Sequence, residues 1–399
     1  MSSFGTRQGK LSTWLYYPIQ REQGVGIDEA GTRVEGTKKR ARLIAFYLPQ
    51  YHPIPENDLW WGKGFTEWTN AAKAKPMFPG HYQPHVPADL GFYDLRVPET
   101  RRAQAELARA HGIEAFCYYH YWFAGRRLLE RPFTEVLQSG QPDFPFCLCW
   151  ANETWTGIWH GARNRILIEQ TYPGDDDHRA HFAALLPAFK DKRYLRIDGK
   201  PLFIVYHPHE IPDARNALRL WRKLASDAGL NGLYILACSW SMDADFRQID
   251  CDGAVLHPPT HTLRVDSYPW SSPAKKARAW LEVKLGLPTI RSYARALPGM
   301  LPARLPNADT FPTILPNWDN TPRSGTRGLV LHGSTPSLFR RHLERAVDLV
   351  QGLPPERRLV FIKSWNEWAE GNHIEPDLKF GHGYLEAIRD AVEQEPAAR

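Results

Sequence analysis

Eight short apolar runs between residues 42 and 367 constrain this chain more than any other feature. They are 42–49 (RLIAFYLP), 114–123 (EAFCYYHYWF), 144–152 (FPFCLCWAN), 201–208 (PLFIVYHP), 233–240 (LYILACSW), 253–258 (GAVLHP), 313–319 (TILPNWD) and 358–367 (RLVFIKSWNE). Most are too short for surface helices and rich in β-branched or aromatic residues, so they read as buried strands. Segments of helical period separate them. Pro98 opens one, with Ala103, Leu107 and Ala110 on one face. Pro212 opens another, with Ala217, Leu220, Trp221, Leu224 and Ala225 as its stripe and Gly229 past its end. Residues 178–186 form a third, its end disturbed by Pro187, and Thr335–Pro336 starts a fourth that turns Phe339, Leu343, Ala346, Val347 and Val350 inward. Alternating strands and helices imply a parallel sheet, and eight such strands imply closure into a (β/α)₈ TIM-type barrel. A doubly wound open sheet would need a Gly-rich turn after the first strand, and Leu48–Pro49–Gln50–Tyr51–His52–Pro53 has no glycine.

The barrel is expected over 41–392. Residues 1–40 are an appended, mobile segment in this reading, and 393–399 a tail. Two long insertions, 50–97 and 259–312, follow strand C-termini, the face where barrel active sites are built. They read as walls over a cleft.

Net charge is +6, mild for 399 residues, with basic stretches at 32–42 and 264–304. These stretches suit a solvated face, an anionic glycan or a membrane surface, and no nucleic-acid motif accompanies them. The five cysteines lack metal-ligand spacing and read as buried reduced thiols. With neither an apolar signal core nor a membrane-spanning run, the expectation is a cytoplasmic protein, at most peripheral to the inner membrane.

The residues at the polar ends of the runs form a coherent set. Tyr51 and His52 follow the first, and His120, Tyr121 and Trp122 end the second. Trp150, Asn152 and Glu153 close the third, Tyr206 the fourth and Trp240 the fifth. Asn317, Trp318 and Asp319 end the seventh, and Trp365 and Asn366 the eighth. With Trp68 from the first insertion, they combine hydroxyl-reading groups with aromatic platforms, as a carbohydrate cleft requires. Past the last run, Glu367 and Glu370 lie among tryptophans, where buried carboxyls acquire pKa values suited to proton transfer. No metal site or cofactor is expected. His207–Pro208–His209 lacks an evident third ligand, and Asp175–Asp176–Asp177 reads as a loop and helix start.

Several motifs in order carry a family resemblance from about Arg42 to Val392. They are Ala45–Phe46–Tyr47–Leu48–Pro49–Gln50–Tyr51–His52, Trp60–Trp61–Gly62–Lys63–Gly64–Phe65–Thr66–Glu67–Trp68 and His81–Tyr82–Gln83–Pro84–His85. Further along come Cys117–Tyr118–Tyr119–His120–Tyr121–Trp122–Phe123, Trp150–Ala151–Asn152–Glu153, Trp365–Asn366–Glu367–Trp368–Ala369–Glu370–Gly371 and Ile374–Glu375–Pro376. The chain resembles the glycoside hydrolase family 99-like, WbsX-type proteins of bacterial surface-polysaccharide gene clusters. More distantly it is similar to family 99 endo-α-mannosidases, retaining barrel enzymes without a metal. That similarity implies that Glu367 deprotonates a sugar 2-hydroxyl, which attacks C1, and that Glu370 is acid and then base. Glu370 should then have a raised pKa from burial and the neighbouring charge.

Three readings follow. The first is a retaining glycosidase or transglycosidase on a cell-surface polysaccharide (O-antigen, lipopolysaccharide or capsule) or its lipid-linked precursor. The second is a glycosyltransferase using an activated sugar donor. The third is a non-catalytic glycan-binding barrel.

Overall fold

The computed structural model describes residues 39–157, 165–241, 245–258, 280–282 and 284–393. The expectations for 1–38 and 394–399 lie outside these residues.

Eight parallel strands close into a barrel. They are β1 (Arg42–Tyr47), β2 (Ile113–Phe123), β3 (Phe146–Trp150), β4 (Lys200–Val205), β5 (Tyr234–Ser239), β6 (Gly253–Leu256), β7 (Thr310–Ile314) and β8 (Leu359–Ile362). Each pairs with the next in sequence, and β8 returns to β1 through Arg42↔Leu359 to Ala45↔Ile362. Each of the eight apolar runs overlaps one of these strands, which are buried both inside the barrel and beneath the helices; the seventh run shares only Thr313 and Ile314 with β7, which begins within the expected second insertion.

The helices are α1 (Pro55–Trp61), α2 (Glu67–Lys73), α3 (Pro98–Ala110), α4 (Arg131–Ser139), α5 (Asp175–Lys190), α6 (Ala214–Asp227), α7 (Tyr293–Met300), α8 (Thr321–Ser324), α9 (Pro336–Val350) and α10 (Gly383–Val392). In α9 Thr335 caps the first turn by accepting from the Leu338 amide, and the five expected apolar residues are buried. Four details of the helices differ from the sequence reading. In α3 the buried face is Arg101, Gln104, Ala105 and Ala108, while Ala110 is exposed. Helix α6 starts at Ala214, because Asp213 before it is left-handed at φ 46°. Leu218 is buried on its inner face, Leu224 packs partly buried against the core, and Leu220 is not part of that packing. Helix α5 runs through Pro187, which sits in the last turn and so breaks little of the ladder. Asp175, Asp176 and Asp177 form its first turn, complementing the helix dipole.

The first insertion supplies α1 and α2 beside the C-terminal mouth of the barrel. In the second, Thr289–Ser292 pairs in parallel with Leu329–His332, outside the barrel. Among the described residues no helix is long and apolar enough to cross a membrane.

Candidate active site

The C-terminal mouth holds a cavity of about 450 Å³. Glu367 and Glu370 stand in its wall with Tyr121, Glu153, Tyr206 and Trp318 from the anticipated set. Gln50, Tyr119, Lys363 and Arg323 join them from the barrel, and Trp61, Phe65 and Glu67 from the first insertion.

A tight turn presents the two glutamates. Asn366–Glu367 pairs antiparallel with Asn372–His373, and Trp368–Glu370 forms the connecting turn. Gly371 closes it at φ 66°, where a Cβ would stand 3.0 Å from the Asp319 Cβ. A side chain there would meet both backbone strain and a clash. Asn366 ties the turn to β1. Its amide donates to the Leu48 carbonyl (3.0 Å), and its Oδ1 accepts from the Leu48 amide (2.8 Å). The Tyr51 hydroxyl donates to the Asn366 carbonyl and accepts from the Trp368 amide. Behind the turn, Glu375 accepts from Trp368 Nε1 (2.7 Å), the Tyr93 hydroxyl (2.8 Å) and Gln104 Nε2 (2.6 Å). Asn366→Ala is expected to orphan the buried Leu48 groups and cost about 3 kcal/mol, measurable by urea unfolding.

Charge is distributed unevenly across the pair. Arg323 donates to Glu370 Oε1 at 2.6 Å and to Glu67 Oε1 at 2.7 Å. Burial raises the Glu370 carboxyl, but Arg323 leads the opposing effects and holds it below the usual carboxylate range. Burial, then the neighbouring Glu370 charge, pushes Glu367 up to about 8 against the pull of Lys363. Burial therefore favours the protonated form at Glu367, while Arg323 favours the charged form at Glu370. This corrects the expectation of a raised Glu370, which left out Arg323. Lys363 Nζ stands about 6 Å from the ring centres of Tyr119, Tyr206 and Trp318.

Ten anticipated binding residues face elsewhere. Successive strand residues point to opposite faces, so Tyr119 and Tyr121 line the cavity while His120 and Trp122 turn outward. His120 meets His181 of α5 at 2.8 Å, and Trp122 stacks on His181 and donates to Asp177. Trp150 packs between His181 and Trp221. Asn152 clamps the His207 backbone, and Asn366 clamps β1. Tyr51 and Trp68 pack against each other under the turn, and Trp365 is buried against Phe116. His52 is buried away from the cavity, where desolvation lowers its pKa to about 4. Trp240, stacked on His207 and His257, adjoins Tyr206 behind the wall. Two more, Asn317 and Asp319, line a separate small cavity. Asp319 is fixed there by His81 (2.7 Å), Gln83 (2.6 Å) and Thr321 (2.6 Å). His207 bonds Glu153 at 2.8 Å, and His209 packs on Phe246, so that His-x-His pair does not converge.

The sequence model of the WbsX glycosyltransferase family matches residues 43–388. The chain belongs to the WbsX glycosyltransferase family. Uncharacterized protein WxcX of Xanthomonas campestris pv. campestris, from strain ATCC 33913 and from strain B100, is 41% identical over 357 residues. That match takes in 89% of this chain and 50% of the relative, so the chain spans about half the length of the curated relatives it matches. A solved "glycoside hydrolase-like protein" superposes with a TM-score of 0.55 at 14% identity, over 92% of this chain and 98% of that one. The GH99 endo-α-mannosidase from Bacteroides thetaiotaomicron superposes with a TM-score of 0.50 at 16% identity, over 88% and 96%. These likenesses show that this chain shares their barrel fold.

Proposed function

We propose that this chain makes or remodels glycosidic bonds of a bacterial cell-surface polysaccharide by a retaining, metal-independent reaction of Glu367 and Glu370. One observation carries the reading: Glu367 and Glu370 stand together in the wall of one aromatic-lined cavity, with Arg323 on Glu370 and Lys363 in the same wall. Glycosidic chemistry needs one acid and one base at adjacent atoms of a sugar, and substrate-assisted retention needs no enzyme nucleophile.

The roles implied by the family 99 likeness begin with transfer of a proton from Glu367 to Glu370. Lys363 favours the Glu367 carboxylate and Arg323 that of Glu370, which keeps both arrangements accessible. Glu367 then takes the proton of the sugar 2-hydroxyl as O2 bonds to C1. The C1–leaving-oxygen bond breaks, and that oxygen takes the proton from Glu370. In the second step Glu370 accepts a proton from water or an acceptor hydroxyl as it attacks C1. The O2–C1 bond opens, and O2 recovers its proton from Glu367. Water gives hydrolysis, and a sugar hydroxyl gives transfer. Tyr119, Tyr121, Tyr206 and Trp318 supply faces for the sugar rings. The substrate is an oligo- or polysaccharide, free or lipid-linked, met in the cytoplasm or at the inner membrane face.

The family's description as glycosyltransferases favours a second reading, in which the same cavity takes an activated sugar donor. Labelled nucleotide sugars and, separately, the host's surface polysaccharide would be incubated with the purified protein. Cleavage or transfer on the polysaccharide with retained anomeric configuration is expected. Incorporation from nucleotide sugars alone would overturn the proposal. The pH profile of kcat/KM should be bell-shaped, with an alkaline limb near 8 as the Glu367 proton is lost.

A further inference from the structure

The small cavity beside the catalytic turn, about 60 Å³, has a cluster of different chemistry. His85, His373 and Asp377, all buried, each bring one ligand atom to within 4.8 Å of the others. His85 Nδ1 is 2.8 Å from His373 Nε2, which is 3.9 Å from Asp377 Oδ2. Each of these three residues also borders the cavity. Among the described residues no other trio of His, Cys, Asp or Glu converges in this way.

The surroundings orient two of the three groups. His373 Nδ1 lies 3.1 Å from the Glu375 carbonyl, which fixes Nδ1 as the protonated nitrogen and leaves the Nε2 lone pair facing the cluster, where it accepts from His85 Nδ1–H, a proton that a bound cation would displace. Asp377 Oδ1 accepts from the Lys379 and Phe380 amides, at 2.8 and 2.7 Å, leaving Oδ2 toward His373. A histidine with its second nitrogen on a carbonyl, and a carboxylate with its second oxygen on backbone amides, are the outer contacts that metal ligands make. Lys379 lies over the Tyr82 ring, 4.4 Å from its centre, and Tyr82 stacks on His85, so one ring separates that cation from the cluster.

We infer that His85, His373 and Asp377 bind a divalent transition metal, with zinc the best match, and that the cavity leaves room for a water as fourth ligand. Two imidazoles and a carboxylate with one open position suit tetrahedral Zn²⁺. Ligand atoms of such a site stand roughly 3.3 Å apart, at metal–ligand bonds of about 2.0–2.1 Å. The 2.8 Å and 3.9 Å separations bracket that value, and metal binding would replace the His85–His373 hydrogen bond and draw the three atoms, now within 4.8 Å of one another, together. The metal would be structural. His85 comes from the first insertion, while His373 ends the hairpin that carries Glu367 and Glu370 and stacks on Trp368 at 3.7 Å. One ion would pin the insertion to the catalytic turn. This inference is independent of the reaction proposed above, because its readout is metal content and stability.

The test dialyses the full chain against EDTA, then titrates it with Zn²⁺ and, in parallel, Co²⁺. One equivalent is expected to bind, with a raised melting temperature and the intense visible absorption of tetrahedral Co²⁺. His85→Gln and Asp377→Asn should each lose the bound equivalent, the absorption and the thermal shift. The wild-type titration needs no variant: failure to bind an equivalent overturns the inference. So does undiminished binding by both variants, with folding checked by circular dichroism, since the ion would then lie elsewhere.

Discussion

Glu370→Gln is expected to lower kcat by 10²–10⁴-fold while glycan binding, measured by calorimetry, stays within a few-fold of wild type. The amide keeps the size of the carboxylate but can neither give nor take the proton that crosses the scissile bond. It also removes the charge that raises Glu367 after burial, so the alkaline limb of any residual activity should move below 8. Added azide or another small anion is expected not to restore retention, because in the proposed reaction the nucleophile is the sugar's own hydroxyl. Wild-type turnover in Glu370→Gln would exclude it as the acid/base. Loss of binding in that variant, with no activity in the wild type, would support the glycan-binding barrel instead.

The sequence disclosed the barrel because each strand is apolar on both faces and bounded by polar or Pro-containing loops. The two glutamates were visible because they interrupt an aromatic stretch past the last strand. Facing was less visible. His120 and Tyr121 are neighbours in sequence but belong to opposite sides of β2, and choosing between them takes the strict alternation of side chains. The same rule would have picked out Tyr119 in place of Trp122. Lys363 was legible in principle, as a lone cation ending the Leu359–Ile362 run, where an apolar strand gives no reason for a charge. Arg323 was not. It reaches Glu370 from a four-residue helix 47 positions away, and no local pattern announces that contact. Missing it reversed the expected ionisation of the pair. His85, His373 and Asp377 were similarly hidden, since 288 positions separate the two histidines that meet.

Arg323→Met should therefore perturb the site more than any other change outside the glutamates. The guanidinium bridges Glu67 and Glu370, both buried, and methionine keeps the volume without the charge. Two carboxylates would be left in the cavity wall with Lys363 as the cation beside Glu370. Breaking a buried pair from one side costs about 3–5 kcal/mol, and urea unfolding at pH 7 should register that loss. The pH dependence gives the sign independently. Glu370 is held below its unfolded value, so its pairing stabilises the fold above the unfolded pKa near 4.5 and is lost as pH falls through the lower folded value. Wild type should lose that stability on acidification, and Arg323→Met should not, having lost it already. Without Arg323, burial would be opposed only by Glu367, Lys363 and Asn372, so the Glu370 carboxyl would rise from its lowered position. The acid limb of kcat/KM should then climb. Arg323→Lys separates charge from reach: an ammonium restores one partner and leaves the other unpaired, so partial recovery of the acid limb is expected. An acid limb unmoved in Arg323→Met would mean that something other than this guanidinium keeps Glu370 ionised.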